Sequence, residues 1–360
     1  MNEWRVRVGV GVVGVGVVAL VCGVAGVGAQ EHGAVAKVGD DRIYLDVVVT
    51  PKSGEPVSGL QQQDFTVMDN KAPVAISSFR AVEGAQAQEE VVVVVDAVNT
   101  DYERLAFERG EIEKFLRADE GHLGHPTALA VVTDTGTQME EGFSTDGNAL
   151  SGVLEKYGVG LRELRRSSGF YGAADRFSIS LQALRMIAAR EAERPGRKAI
   201  LWVSPGWPLL SGPRVQIDGK EQQRLFASIV GLSTQLRQGH ITLYSVDPRG
   251  AGESEFSATY YQEFVKGVRD ANHVDAADLS LQVLATQTGG LVLNFDNRVD
   301  ALLKRSMEDL KSYYEITFDR PLADQRDNYH QIEVKVDKPG VTARTRTGYY
   351  WEPGTQKHVE

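Results

Sequence analysis

The sequence predicts an α/β fold: a doubly wound, mostly parallel sheet inserted in a small β-sandwich-like module built from the two ends of the chain. Three observations carry that prediction. Val91–Val95 is an unbroken run of β-branched residues, which fits a strand buried on both faces. From residue 89 to residue 311, strand patterns alternate with helix patterns, as expected when helices cover a parallel sheet. Residues 41–88 and 312–360 instead show the two-residue alternation of β structure.

The first 29 residues read as a signal peptide. Arg5 and Arg7 form a short positive region, and Val8–Val27 is uncharged and rich in Gly and Val. Val27-Gly28-Ala29 then supplies small residues for cleavage before Gln30. The apolar stretch of about 20 residues is long enough to cross a bilayer, although its glycines make it weakly hydrophobic. The expectation is export to the periplasm or medium, with membrane anchoring only if the segment stays uncleaved. Gly9, Gly11 and Gly14 match a dinucleotide-binding spacing. That spacing has meaning only between a strand and a helix, so here it is composition. The single cysteine, Cys22, lies in this segment. A lipoprotein site would want a small residue before it and leucine three before, where Val21 and Ala19 stand. The exported chain therefore has no disulfide and no thiol chemistry.

Net charge is −10, becoming −11 once a leader carrying Arg5, Arg7 and Glu3 is removed. A chain this acidic lacks the basic footprint that nucleic acid requires. Residues 30–40 form a polar lead. Ile43, Leu45, Val47 and Val49 alternate as a strand, and Phe65–Val67 and Val74–Ile76 flank a turn at Asp69-Asn70-Lys71, a hairpin. Residues 81–90 read as a polar connector. Tyr102–Arg117 is helical, with a stripe at 105, 107, 112, 115 and 116. Ala128–Val132 is a buried strand and Gly136–Phe143 an edge strand. Asp146 caps a helix reaching about Tyr157. Ser178–Ala192 is a helix stopped by Pro195-Gly196, and Glu221–Arg237 is one ended by Gly239. Lys198–Val203 and Ile241–Val246 are strands ending at Ser204 and Asp247. Asp275–Gln287 is helical, Leu291–Phe295 a strand and Asp300–Lys311 a helix. The strands after Ser312 pair with those of 41–88, since either set alone would leave its edges and one face open.

Several motifs in this order resemble the bacterial von Willebrand factor type A-related proteins that carry their own flanking β segments. They are Gly59-Leu-Gln-Gln-Gln-Asp-Phe65, Asp96-Ala-Val-Asn-Thr100, Gly196-Arg-Lys-Ala-Ile-Leu-Trp-Val-Ser204 and Tyr244-Ser-Val-Asp-Pro-Arg-Gly250. Leu284-Ala-Thr-Gln-Thr-Gly-Gly290, Ser312-Tyr-Tyr314 and Thr347-Gly-Tyr-Tyr350 complete the set, which covers nearly all of the mature chain. The resemblance implies a Rossmann-like sheet whose ligand face lies at the carboxyl ends of the strands. It also implies a divalent cation there, Mg²⁺ or Ca²⁺, held by D-x-S-x-S, a threonine from a second loop and an aspartate from a third. Mg²⁺ asks for about six hard oxygens. This sequence keeps Asp96, has Val98 at the first serine position and Thr100 at the second, and reads Ser204-Pro205-Gly206 where the third-loop carboxylate belongs. No second-loop threonine aligns; Tyr171 and Asp175 lie nearby. The residual metal set is Asp96, Thr100 and Ser204, a degenerate one.

The expected ligand-binding residues are Asp96, Asn99, Thr100, Ser204, Trp207, Asp247 and Arg249, all following strand ends. Each has a structural alternative. Asp96 and Asn99 can hydrogen-bond the loops of the crevice floor, Asp247 and Arg249 can form an internal ion pair, and Trp207 can pack instead of anchoring a partner. Trp202 packs in the sheet, and Tyr349, Tyr350 and Trp351 pack the terminal strand. His122 and His125 sit in Asp119-Glu-Gly-His-Leu-Gly-His125, whose Gly121 and Gly124 make it read as a solvated loop. Ser204 has Trp202 where a nucleophile elbow has glycine, which disfavours a serine hydrolase. The sequence thus predicts a non-enzymatic module with no assured cofactor, binding a protein or cell-surface ligand.

Overall fold

The five valines of Val91–Val95 lie at the heart of the molecule. The computed structural model describes residues 42–52, 55–84, 89–160, 169–208, 218–250, 259–320 and 329–351. The expected signal peptide and polar lead lie outside the described residues. No helix among the described residues is long and apolar enough to cross a membrane.

The chain opens with β1 (Arg42–Pro51), β2 (Phe65–Asp69), β3 (Ala72–Val74) and β4 (Ile76–Glu83). The α/β part contains β5 (Glu90–Asp96), α1 (Tyr102–Leu116), β6 (His122–Thr133), β7 (Gly136–Met139), β8 (Ser144–Asp146), α2 (Gly147–Gly160) and α3 (Gly169–Ala192). It continues with β9 (Lys198–Val203), α4 (Gly219–Gln238), β10 (Ile241–Val246), α5 (Leu281–Gln287), β11 (Val292–Leu293) and α6 (Val299–Glu308). The last strands are β12 (Ser312–Asp319), β13 (Tyr329–Val336), β14 (Val341–Arg344) and β15 (Gly348–Tyr350).

The central sheet runs β11-β10-β9-β5-β6-β7, with β8 also on β6. β11, β10, β9, β5 and β6 are parallel, while β7 and β8 are antiparallel to β6. Side chains alternate across a strand, so the valines divide between two cores. Val92 and Val94 pack with Leu184 and Ile187 of α3, Leu232 of α4 and Leu284 of α5. Val91, Val93 and Val95 pack with Ile112 of α1, Leu154 of α2 and Leu303 of α6. Helices therefore cover both faces, and a strand with no polar face is what that arrangement requires. Gly290 is needed where α5 turns back to the sheet: a Cβ there would stand 1.8 Å from the Leu243 carbonyl oxygen.

The strands at the two ends of the chain interleave in two antiparallel sheets, β14-β1-β12-β4 and β15-β13-β2-β3. β1 pairs β12 from Arg42 opposite Asp319 to Val47 opposite Tyr314, and β2 pairs β13 from Asp69 opposite Ile332 to Phe65 opposite Val336. Both sheets feed one apolar core of Leu45, Val47, Val67, Ile316 and Tyr349. Within it, the Phe65 and Tyr314 rings meet at 4.9 Å. A buried polar unit fixes the second sheet. Asp69 accepts from Tyr349 Oη at 2.7 Å and meets His330 Nδ1 at 2.8 Å, with the His330 and Tyr349 rings stacked at 4.9 Å.

Buried ionic contacts tie the sandwich to the central sheet. Arg197, before β9, bonds Glu89, before β5, at 2.7 Å, and its guanidinium lies 4.7 Å over the Tyr313 ring of β12. Asp309, after α6, accepts from Tyr244 of β10 at 2.7 Å and from Arg344 of β14.

The structure corrects four local expectations. Residues 76–83 form strand β4, where a polar connector was expected from residue 81; its burial pattern leaves only Val82 fully buried. The α1 stripe uses Glu108 in place of Phe107, which is exposed. Asp275–Gln287 is a short 3-10 turn at Ala276–Leu279 followed by α5, broken at the extended Ser280. His122 and His125 belong to β6, and His125 is buried. Replacing Asp69 with alanine strands the Tyr349 hydroxyl and the His330 ring nitrogen, at a cost of about 2–4 kcal/mol. Urea denaturation of the variant checks this; a loss under about 1 kcal/mol would mean that other groups satisfy the pair.

Candidate functional site

Parallel strands deliver their terminal residues to one end of the sheet, and β5, β9 and β10 are neighbours. Asp96, Ser204 and Asp247 therefore come together. Their backbones remain in register past the strand ends: Ala97 N donates to Val132 O at 3.0 Å, Ser204 N to Val246 O at 3.0 Å, and Asp247 N to Leu293 O at 2.8 Å.

Asp96 is fully buried. Its Oδ1 accepts from the Val98 and Asn99 backbone amides, each at 3.0 Å. Its Oδ2 accepts from Asn99 Nδ2 at 2.8 Å and from the Trp202 indole Nε1 at 3.0 Å. Four N–H donors thus fill the carboxylate, two per oxygen. Asn99 extends the clamp to α3 by donating to Ser180 Oγ at 2.8 Å. Asp101 then caps α1, accepting from Arg104 N at 2.9 Å, which turns the loop sharply into the helix.

The other expected residues take up local roles. Ser204 Oγ accepts from Gly206 N at 3.1 Å, closing a turn in which Gly206 has φ +101°. Asp247 and Arg249 form a fork, Nη2 to Oδ2 at 2.7 Å and Nε to Oδ1 at 3.0 Å. Trp207 is corrected from an exposed anchor to a core residue: it is 4% exposed and packs edge-on against Trp202 at 5.3 Å. Its Nε1 has no partner among the described residues. Asn99 and Arg249 are only partly buried and are the expected residues that reach the surface. Asp96 itself is fully buried beneath these loops, the structural alternative weighed for it.

A divalent cation does not fit this set. Asp96 has no free lone pair facing out, Val98 replaces a hydroxyl, and Ser204 Oγ is engaged by the Gly206 amide. Thr100 is fully buried. Asp175 is exposed on α3. Among the described residues, no cluster of three or more His, Cys, Asp or Glu side chains is arranged to hold a metal ion.

Glu108 is a residue of this region that sequence patterning misses. It points from α1 into the core, fully buried, and neither carboxyl oxygen has a well-formed hydrogen bond among the described residues. Burial, with added repulsion from Asp96, pushes its pKa up to about 9 against weaker pulls from Arg104 and the Thr100 hydroxyl. It is therefore a neutral acid at physiological pH, placed beneath the Asp96 loop.

No protein-family model matches the sequence, and no curated protein matches it. Solved structures do resemble it. The human COPII-coat protein Sec24c shares 9% identity at TM-score 0.34, over 75% of this chain and 44% of that one. The pilus adhesin SpaC of Lactobacillus rhamnosus GG shares 6% at TM-score 0.37, over 79% and 48%. The manganese-loaded TRAP protein of Plasmodium vivax shares 10% at TM-score 0.32, over 76% and 98%. The chain thus spans about half the length of the first two. At these identities and TM-scores the likenesses assign neither a family nor a ligand.

Glu108 gives this end of the sheet a pH dependence. In the unfolded chain it titrates near 4.5, and in the folded chain near 9. Between those values the unfolded state holds fewer protons, so stability falls as pH rises through the window. Glu108→Gln removes that loss. Its stability relative to the parent grows with pH by at most about 1.4 kcal/mol per unit, read by urea denaturation at successive pH values. A difference that stays constant across the window contradicts the assignment.

Proposed function

We propose that the protein is an exported, non-enzymatic binding module of the von Willebrand type A kind. It captures a protein or cell-surface ligand with the loops that follow β5, β9 and β10. The observation that carries this reading is the Asp96 clamp. It spends a buried carboxylate on fixing the loop from Val98 to Asn99 against Trp202 and Ser180, and a rigid scaffold presenting loops is the usual basis of recognition. Neighbouring loops give it polar, partly exposed groups at Asn99 and Arg249.

The same geometry supports capture without a cation, because protein N–H groups occupy the positions on Asp96 that a metal would use. It gives little support to hydrolysis. The Ser204 hydroxyl accepts from Gly206, and no described histidine is hydrogen-bonded to it. Export rests on the leader sequence alone.

The test is retention of the full chain on immobilised cell-envelope fractions, with Arg249→Glu and Pro205→Arg as crevice variants whose folding is checked by circular dichroism. Capture is expected to weaken at least about tenfold in folded variants, as loss of a charged interfacial contact does. Equal retention of parent and both variants overturns the assignment of the face. Labelling of Ser204 by a fluorophosphonate probe overturns the non-enzymatic reading.

A further inference from the structure

A cleft of about 770 Å³ opens far from the Asp96 loops, where α1 ends and β6 begins, against the ends of α6 and β4. Phe115, Leu123 and Met307 give it apolar walls. Two polar side chains lining it are more than nine-tenths buried: His125 is 8% exposed and Ser312 7%. Neither His125 Nδ1 nor Ser312 Oγ has a hydrogen-bond partner among the described residues. Leaving such groups unpaired in a native fold is costly, so a ligand that completes them is favoured.

The chemistry of that ligand follows from the lining. Burial holds the His125 imidazole below its ordinary pKa, against a weaker pull from the Glu89 backbone, with a further lowering from Arg197, and so disfavours its charged form. A neutral imidazole bonded through one nitrogen offers the other as an acceptor. The Ser312 hydroxyl also accepts. The cleft rim carries Glu55, Glu83, Asp119 and Glu308 against Lys304 and Lys311, and Lys311 is already paired with Glu55 at 2.7 Å. The buried Arg197, which adds to the cost of charge on His125, is paired with Glu89 at 2.7 Å. Acceptors at the floor, an excess of carboxylates at the rim and apolar walls between them ask for a cationic head on an alkyl stem.

We propose that this cleft binds an alkyl ammonium or guanidinium group, whose head donates to His125 Nδ1 and Ser312 Oγ while its stem lies along Phe115, Leu123 and Met307. The group can come from a free amine or from a basic side chain of a peptide. The volume fits either, since small-molecule sites span about 300–1,000 Å³.

Isothermal titration of the full chain decides the matter, with agmatine as the free cation, acetyl-Ala-Arg-Ala-amide as the peptide source and N-acetylglutamate as the anionic control. At least one cation is expected to bind with a sub-millimolar Kd, and the tighter of the two identifies the source. Ser312→Val and the rim variant Glu308→Lys are each expected to weaken it about tenfold or more, whereas Arg249→Glu at the other end of the sheet leaves it unchanged. Glu308→Lys keeps the test decisive if the buried variant fails to fold. The proposal falls if neither cation binds, if N-acetylglutamate binds as well as they do, or if Glu308→Lys binds with the parent affinity.

Discussion

A carboxylate cannot be buried uncompensated, and that constraint organises the carboxyl end of the central sheet. Asp96 ends a strand whose five preceding residues are fully buried, so its charge has no route to solvent. The fold compensates it with two backbone amides, a carboxamide and an indole N–H. Hydrogen bonds to a charged group contribute about 1.5–3 kcal/mol each, more than the surface ion pairs elsewhere in the chain. Each donor comes from a segment that must then sit in one place: the loop after β5, strand β9 and, through Asn99, helix α3. A position that could meet a metal is thus an internal cornerstone.

The amino-terminal side is governed by a similar constraint with a different answer. The pair of Arg197 and Glu89, the stacked Tyr313 ring, and Asp309 shared by Tyr244 and Arg344 lock the sandwich strands to the parallel sheet. Deleting one partner of such a buried pair typically costs about 3–5 kcal/mol, because the other is left as an uncompensated charge. The chain has placed ion pairs at the seams, while the valine strand packs against apolar side chains on both faces. That division leaves His125 Nδ1 and Ser312 Oγ without a hydrogen-bond partner among the described residues, in a cleft beside the same seam.

The strands of the central sheet were legible because burial on both faces leaves an unmistakable run, and the long helices because their stripes are regular. The pairing of the two chain ends was legible from edge and face arguments alone. β4 was not, because Ser77, Ser78 and Arg80 face solvent and mask the alternation. The short break at Ser280 was not, because both flanking segments are apolar. At the site, proximity of Asp96, Ser204 and Asp247 followed from strand ends, but the identity of the Asp96 donor did not: Trp202 is 106 residues away in sequence. Glu108 was hidden for a simpler reason. A charged residue one position from Phe107 is assigned to solvent unless the helix phase is known. A signal existed at 105, 108 and 112, whose spacing of three and four is the better fit to one face.

The most direct test of the account is a titration of the mature protein with Mg²⁺, Ca²⁺ and Mn²⁺, followed by calorimetry and thermal melting. If protein donors saturate Asp96, millimolar cation produces no binding heat and no rise in Tm. A cation-dependent rise in Tm that disappears in Asp96→Ala would contradict the account, because it would mean that the carboxylate is free to ligate a metal.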